Sequence, residues 1–154
     1  LRKELLSPQK LGPNKYGDRL MIGRFLKKEE IQKEDVGWGT LMWLSSPTLN
    51  QAKSILIVEV EINPGGGHSF HTHPNQEEMI YVLDGQVEQW LEGEKRILGV
   101  GETVFVPANT VHASFNSTSR KIRLLATLSP VIGPTGYEIV DVSEQAPWSK
   151  LRID

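Results

Sequence analysis

Cysteine is absent from the 154 residues, which removes thiolate nucleophiles, iron–sulfur clusters and zinc ribbons together. His and carboxylate are then the only strong metal ligands available, so any metal site must be of the nitrogen and oxygen type. An excess of one charge is also lacking. The 17 basic and 19 acidic residues leave a net charge of −2, too little field to concentrate nucleic acid or an anionic lipid surface, and neither partner is expected. Long hydrophobic runs are missing too: no stretch approaches the roughly 20 apolar residues of a membrane span. The opening Leu1-Arg2-Lys3-Glu4-Leu5-Leu6 has no apolar core of the signal-peptide kind. A cytoplasmic location is the expectation, with N-terminal processing left open because residue 1 is Leu. The length suits one domain that closes its core without disulfides or a structural metal.

What is present divides by texture. Residues 1–36 are polar and charged, with turn signals at Gly12-Pro13 and Gly17-Asp18 and a candidate short helix at Lys27-Lys28-Glu29-Glu30-Ile31. They read as an arm lying on a domain spanning 37–154. From Thr40 onward, short runs rich in Val, Ile, Leu, Phe and Trp are spaced by Gly, Pro and Asn, the pattern of an all-β sandwich or barrel. Strands are predicted at 40–45, 52–62, 69–73, 78–83, 86–91, 95–98, 103–106, 112–116, 121–128 and 137–142. Alternation is clearest in the second, where Leu56, Val58, Val60 and Ile62 share one face. Asp84-Gly85 has the positive-φ preference of a two-residue hairpin turn. The tail around Pro147-Trp148 is expected to pack back on the barrel.

Two blocks hold the chemistry. The first runs from Gly65-Gly66-Gly67-His68 through His71-Thr72-His73 and Glu77-Glu78 to Gly85; the second runs from Gly101 through Pro107, Asn109 and His112 to Asn116. Histidines one residue apart on a strand point the same way, so His71 and His73 can both reach a single ion. On a helix the same pair would diverge by roughly 200°. The triple glycine lacks the Lys and following helix of a phosphate loop.

These residues resemble the cupin superfamily. Its first motif, Gly, five residues, His-x-His, three or four residues, Glu, six residues, Gly, is matched by Gly65, His71, His73, Glu78 and Gly85. Its second, Gly, five residues, Pro-x-Gly, two residues, His, three residues, Asn, is matched by Gly101, Pro107, His112 and Asn116. Asn109 replaces the turn glycine; Asn tolerates a left-handed backbone best among other residues, so the turn should survive. The resemblance covers roughly residues 50 to 130. It implies an antiparallel β-barrel, the double-stranded β-helix or jelly roll, preceded by the arm, and one divalent metal ion held by His71, His73, Glu78 and His112. Spacing to Gly85 selects Glu78 over Glu77, because either parity of the strand offers an apolar face.

Iron, manganese, nickel, zinc, copper and cobalt all accept such ligands. Three neutral imidazoles and one carboxylate leave a divalent ion with a charge of about +1 and, if octahedral, two open positions that invite a bidentate oxygen ligand. The partner expected is therefore a small molecule. The resemblance implies a dioxygenase-like enzyme, or an isomerase or lyase of a hydroxycarbonyl or sugar-acid compound. The alternative is a non-catalytic ligand carrier or sensor. No dedicated general base stands out. Glu77 and Tyr81 are the catalytic candidates, with His68 behind them because its strand parity opposes that of His71 and expects it on the surface. Trp38, Trp43, Trp90 and Trp148 read as core or interface aromatics. A homodimer is expected, the arm crossing onto a neighbouring barrel and covering a sheet edge.

Overall fold

Side chains two apart on a strand share a face, and the strand at 56–62 shows this directly. In the computed structural model, which describes residues 23–152, Leu56, Val58 and Ile62 are buried while Glu59 and Glu61 lie opposite them, partly exposed. Among the described residues it is one of eleven strands. In chain order they are β1 (Gln32–Asp35), β2 (Gly39–Ser45), β3 (Leu56–Ile62), β4 (Gly67–Thr72), β5 (Glu77–Asp84), β6 (Gln86–Leu91), β7 (Glu94–Gly99), β8 (Thr103–Val106), β9 (His112–Phe115), β10 (Ile122–Ser129) and β11 (Val140–Asp141). One helical turn, α1 (Pro47–Asn50), is capped by Ser46, whose hydroxyl accepts from Leu49 N. The strands form two antiparallel sheets, β1-β2-β3-β10-β5-β8 and β11-β4-β9-β6-β7. This is the all-β, double-stranded architecture expected.

Between the sheets lies an apolar core. Ile62, Ile80, Val82, Val87, Ile122 and Leu124 form one cluster, and Leu56, Val58, Ala126 and Leu128 another. A third cluster lies on the far side of the five-stranded sheet, where Phe70, Trp90, Ala113 and Phe115 are covered by Val142, Trp148 and Leu151 of the tail. Trp148 stacks on Phe70 with ring centroids 6.0 Å apart. Because the tail seals the outer face, all four residues of β9 are buried. That strand carries His112.

Three local expectations are corrected. Asp84-Gly85 does not close a hairpin, since β5 pairs with β10 and β8 whereas β6 pairs with β7 and β9. The chain turns a corner there from one sheet to the other. Gly85 has the positive φ expected, +82°, but a Cβ on it would come within 2.6 Å of Ile122 Cγ2, so burial as well as backbone geometry excludes a side chain. The two-residue hairpin turn lies instead at Glu92-Gly93, joining β6 to β7. Secondly, residues 32–35 of the expected arm form β1, an exposed edge strand paired with β2. Its run Gln-Lys-Glu-Asp has no buried face to announce it. Thirdly, the strand expected at 137–142 shrinks to Val140–Asp141, the residues before it forming a loop. Residues 1–22, and with them the expected crossing onto a second barrel, lie outside the described residues.

Candidate metal centre

His71 on β4 and His112 on β9 are cross-strand partners in one sheet, and Glu78 faces them from β5 in the other. His73 sits one residue beyond β4. One side-chain ligand atom from each of the four lies within 4.8 Å of the rest, and all four residues are buried. Along β5 the buried residues are Glu78, Ile80 and Val82 and the exposed ones Glu77, Met79 and Tyr81. The parity that the sequence left open thus directs Glu78 inward, while Glu77 and Tyr81 lie on the outer surface, away from the cluster.

The hydrogen bonds of the three imidazoles determine what this cluster can bind. Each Nδ1 lies against a backbone carbonyl: His71 on Ser69 O at 2.6 Å, His73 on Glu138 O at 2.6 Å and His112 on Thr110 O at 3.0 Å. A carbonyl only accepts, so each Nδ1 carries the proton and each neutral ring presents a bare Nε2 lone pair. Into the same space points a carboxylate. Glu78 Oε2 lies 2.7 Å from His112 Nε2 and 3.3 Å from His73 Nε2. Glu78 Oε2 and His112 Nε2 have no satisfactory hydrogen-bond partner among the described residues. With neutral rings the cage is made of acceptors alone, which is costly when buried unless a cation joins it. Three imidazole nitrogens and one carboxylate fit a divalent transition ion.

The protonation preferences agree. Burial alone would raise the Glu78 carboxyl, but its contacts with His112 and His73 outweigh burial and hold it well below the usual range. Burial pushes His71 far down, with His68 and His112 adding to the effect, so it is neutral at physiological pH. His112 runs the other way: burial opposes its charge, yet the contact with Glu78 raises it. In the metal-free protein a proton therefore substitutes for the cation. Glu78, with its lowered pKa, contributes stability present above its unfolded value near 4.5 and lost as pH falls through the folded value. His112, with its raised pKa, contributes stability present below 6.5 and lost as pH rises through the folded value. Above that window the cage reverts to acceptors only. Adding zinc should therefore raise the melting temperature more at pH 8 than at pH 6, read by scanning fluorimetry; an equal or smaller shift at pH 8 would contradict the acceptor-cage account.

Glu78 also borders a cavity of about 380 Å³. Its walls come from both ends of the described chain: Trp38, Leu41 and Trp43 from β2 and the turn before it, Val58 and Val60 from β3, and Thr135, Tyr137 and Ile139 from the loop before β11. His68 lines it too, against the parity expectation. The register of β4 against β9 slips between His68, paired with Ser114, and His71, paired with His112. Three steps on β4 oppose two on β9, and this bulge turns His68 to the side that His71 faces. Its ring stacks on His71 at 3.7 Å and on Trp38 at 5.2 Å, and burial pushes its pKa down to about 4. Tyr137, whose ring lies 5.2 Å from His73, is held protonated by burial and then by the Glu78 and Glu34 charges. Nothing in the sequence marks Tyr137, because the loop that carries it is remote from both motifs.

Two residues brace the site. Gln76 is almost fully buried; its Nε2 donates to Pro130 O at 2.7 Å and Gly136 O at 2.9 Å, and its Oε1 accepts from Glu138 N at 2.8 Å. It thereby fixes the loop whose Glu138 carbonyl orients His73. Asn109 has φ +60°, the left-handed conformation expected where the motif has glycine, and its amide N donates to His73 O at 2.8 Å.

Residues 58–128 match the family described as Cupin domain. The chain is 29% identical over 126 residues to "Polyketide synthase CurC" of Streptomyces cyaneus, covering 82% of each. It is 26% identical over 107 residues to the pectin degradation protein KdgF of Dickeya dadantii, covering 70% of this chain and 93% of that one. With the quercetin 2,3-dioxygenase of Bacillus subtilis it shares 32% over 81 residues, which is 53% of this chain but only 24% of the dioxygenase. Among solved structures, KdgF from Halomonas sp. superposes with a TM-score of 0.63 at 24% identity, over 71% of this chain and 94% of that one. Motifs, sheets and family match coincide on the same residues, and residues 58–128 form a cupin domain.

Proposed function

We propose that the protein is a metal-dependent enzyme that holds one divalent ion on His71, His73, Glu78 and His112 and acts on a small oxygen-donor substrate bound in the adjoining cavity. The observation that carries this reading is the buried acceptor-only cage beside a cavity of about 380 Å³. Bound there, a divalent ion would polarise a carbonyl or enol oxygen. The chain's own groups do the rest. Glu78 and the three Nε2 lone pairs hold the charge, and the aliphatic walls exclude water and strengthen every electrostatic contact inside. Of the polar side chains on the cavity wall, His68 and Tyr137 lie beside the cage, which supports them over Glu77 and Tyr81 as the groups that meet a substrate. The name of the quercetin 2,3-dioxygenase supports the dioxygenase-like branch, and that of the pectin degradation protein KdgF supports the branch that acts on a carbohydrate-derived compound.

A second reading has its own support. Because Glu77 and Tyr81 face outward, the site has few groups to move protons. A non-catalytic ligand-binding cupin would need none. Protein reconstituted in turn with iron, manganese, nickel and zinc, and offered enol, catechol and uronate compounds, distinguishes the readings. Metal-dependent turnover is expected, accompanied by oxygen consumption in the dioxygenase branch and proceeding anaerobically in the other. Binding without turnover across the panel would favour the carrier, and ligand binding unchanged by metal removal would sink direct coordination.

A further inference from the structure

The cavity walls bear on which oxygen donor the site accepts. Two aromatic pairs line it: Trp38 stacked on His68 with 17° between ring planes, and Trp43 edge-on to Tyr137 at 6.2 Å. Trp38, His68 and His71 form a continuous ring stack that ends on a cage residue. Most of the remaining wall is aliphatic, with Val58, Val60, Ala126 and Leu128. Among the described residues that line the cavity there is no Lys or Arg, and the charged ones, Glu34 and Glu78, are both acidic. A sugar acid would bring a carboxylate and several hydroxyls into this space. Its carboxylate would find no cationic side chain among the described lining residues, only the ion already shared with Glu78, and its hydroxyls would find few partners, so several polar groups would be desolvated without compensation. A flat ring system loses little on entering and gains contact with the aromatic walls.

Resting on the metal-dependent reading above, we propose that the cavity selects an uncharged, flat aromatic molecule of one or two rings with two adjacent oxygen donors, such as a catechol or an enolised aryl hydroxyketone, over a sugar acid. The aromatic body lies along the Trp38 and Tyr137 walls and the oxygens point toward the cage. A volume near 380 Å³ is at the small end of ligand pockets and suits such a molecule better than a polymer end.

Calorimetric titration of zinc-loaded protein with 2,3-dihydroxynaphthalene and, separately, with galacturonate tests this. The naphthalenediol should bind at least about tenfold tighter. Trp38→Ala should weaken the diol about tenfold while leaving galacturonate binding and zinc content unchanged, and Trp38→Phe should restore most of the loss. Galacturonate binding as tightly as the diol, or Trp38→Ala weakening both ligands alike, would overturn the selectivity. Failure of the underlying reading looks different: the protein would retain no zinc, or the diol would bind metal-free protein equally well.

Discussion

His112→Ala is expected to lower metal affinity by at least about a hundredfold while the barrel remains folded. His112 supplies one of the four ligand atoms, and its Nε2 is the one nearest the carboxylate. Truncation leaves a small void among residues that are otherwise apolar or tied to backbone, a loss on the order of 2 kcal/mol. In the metal-free protein an opposing acceptor disappears with the ring only above the raised pKa of His112, which offsets part of that loss; below it the loss is larger, because Glu78 loses its charged partner. Glu78→Ala should lose metal similarly. Glu77→Ala is the control, since its side chain lies on the outer surface of β5, and it should retain metal fully. Metal content by mass spectrometry, alongside circular dichroism for the fold, checks all three. Greater metal loss from Glu77→Ala than from Glu78→Ala would reverse the ligand assignment.

Gln76→Ala should cost about 3 kcal/mol or more in urea unfolding, because it strands two carbonyls and one amide that the buried side chain now satisfies. A second effect should accompany the first. With Glu138 released, its carbonyl no longer fixes the His73 ring, and metal affinity should fall by about 10- to 100-fold although Gln76 is not in the cage. Gln76→Glu keeps the oxygen that accepts from Glu138 N but sets a carboxylate against Pro130 O and Gly136 O, so it should be no better folded than the alanine variant. Destabilisation with unchanged metal affinity would show that the loop does not position His73.

How far these features could be read in advance depended on how local they are. The ligand candidates lie in two short blocks, and strand geometry alone brings His71 and His73 together. Glu78 was separable from Glu77 by spacing, but its inward direction was not readable, because Ile80 and Val82 make as good an apolar face as Met79, Tyr81 and Leu83. His68 shows the reverse case. Counting parity from His71 misplaces it, since the bulge at 69–70 depends on how β4 meets β9. Asp84-Gly85 carries a hairpin signal correct for its backbone angle and wrong for its pairing, as the two flanking strands find partners in different sheets.

The all-β class and the Asn109 turn were legible because each rests on residues within a few positions of one another, where alternation and φ preference act directly, and the four ligand candidates were legible through two spaced motifs that resemble those of the cupin superfamily. The cavity was not legible. Its walls combine Trp38 and Trp43 with Tyr137, roughly a hundred positions apart and outside the residues matched to the family. Only the pairing of β2 beside β3 and the clamping of the 130–138 loop by Gln76 bring them to one side of the cage. Side chains that meet only through tertiary packing leave no periodic signal along the chain, so the ligand candidates could be read from the sequence while the space beside them could be read only from the fold.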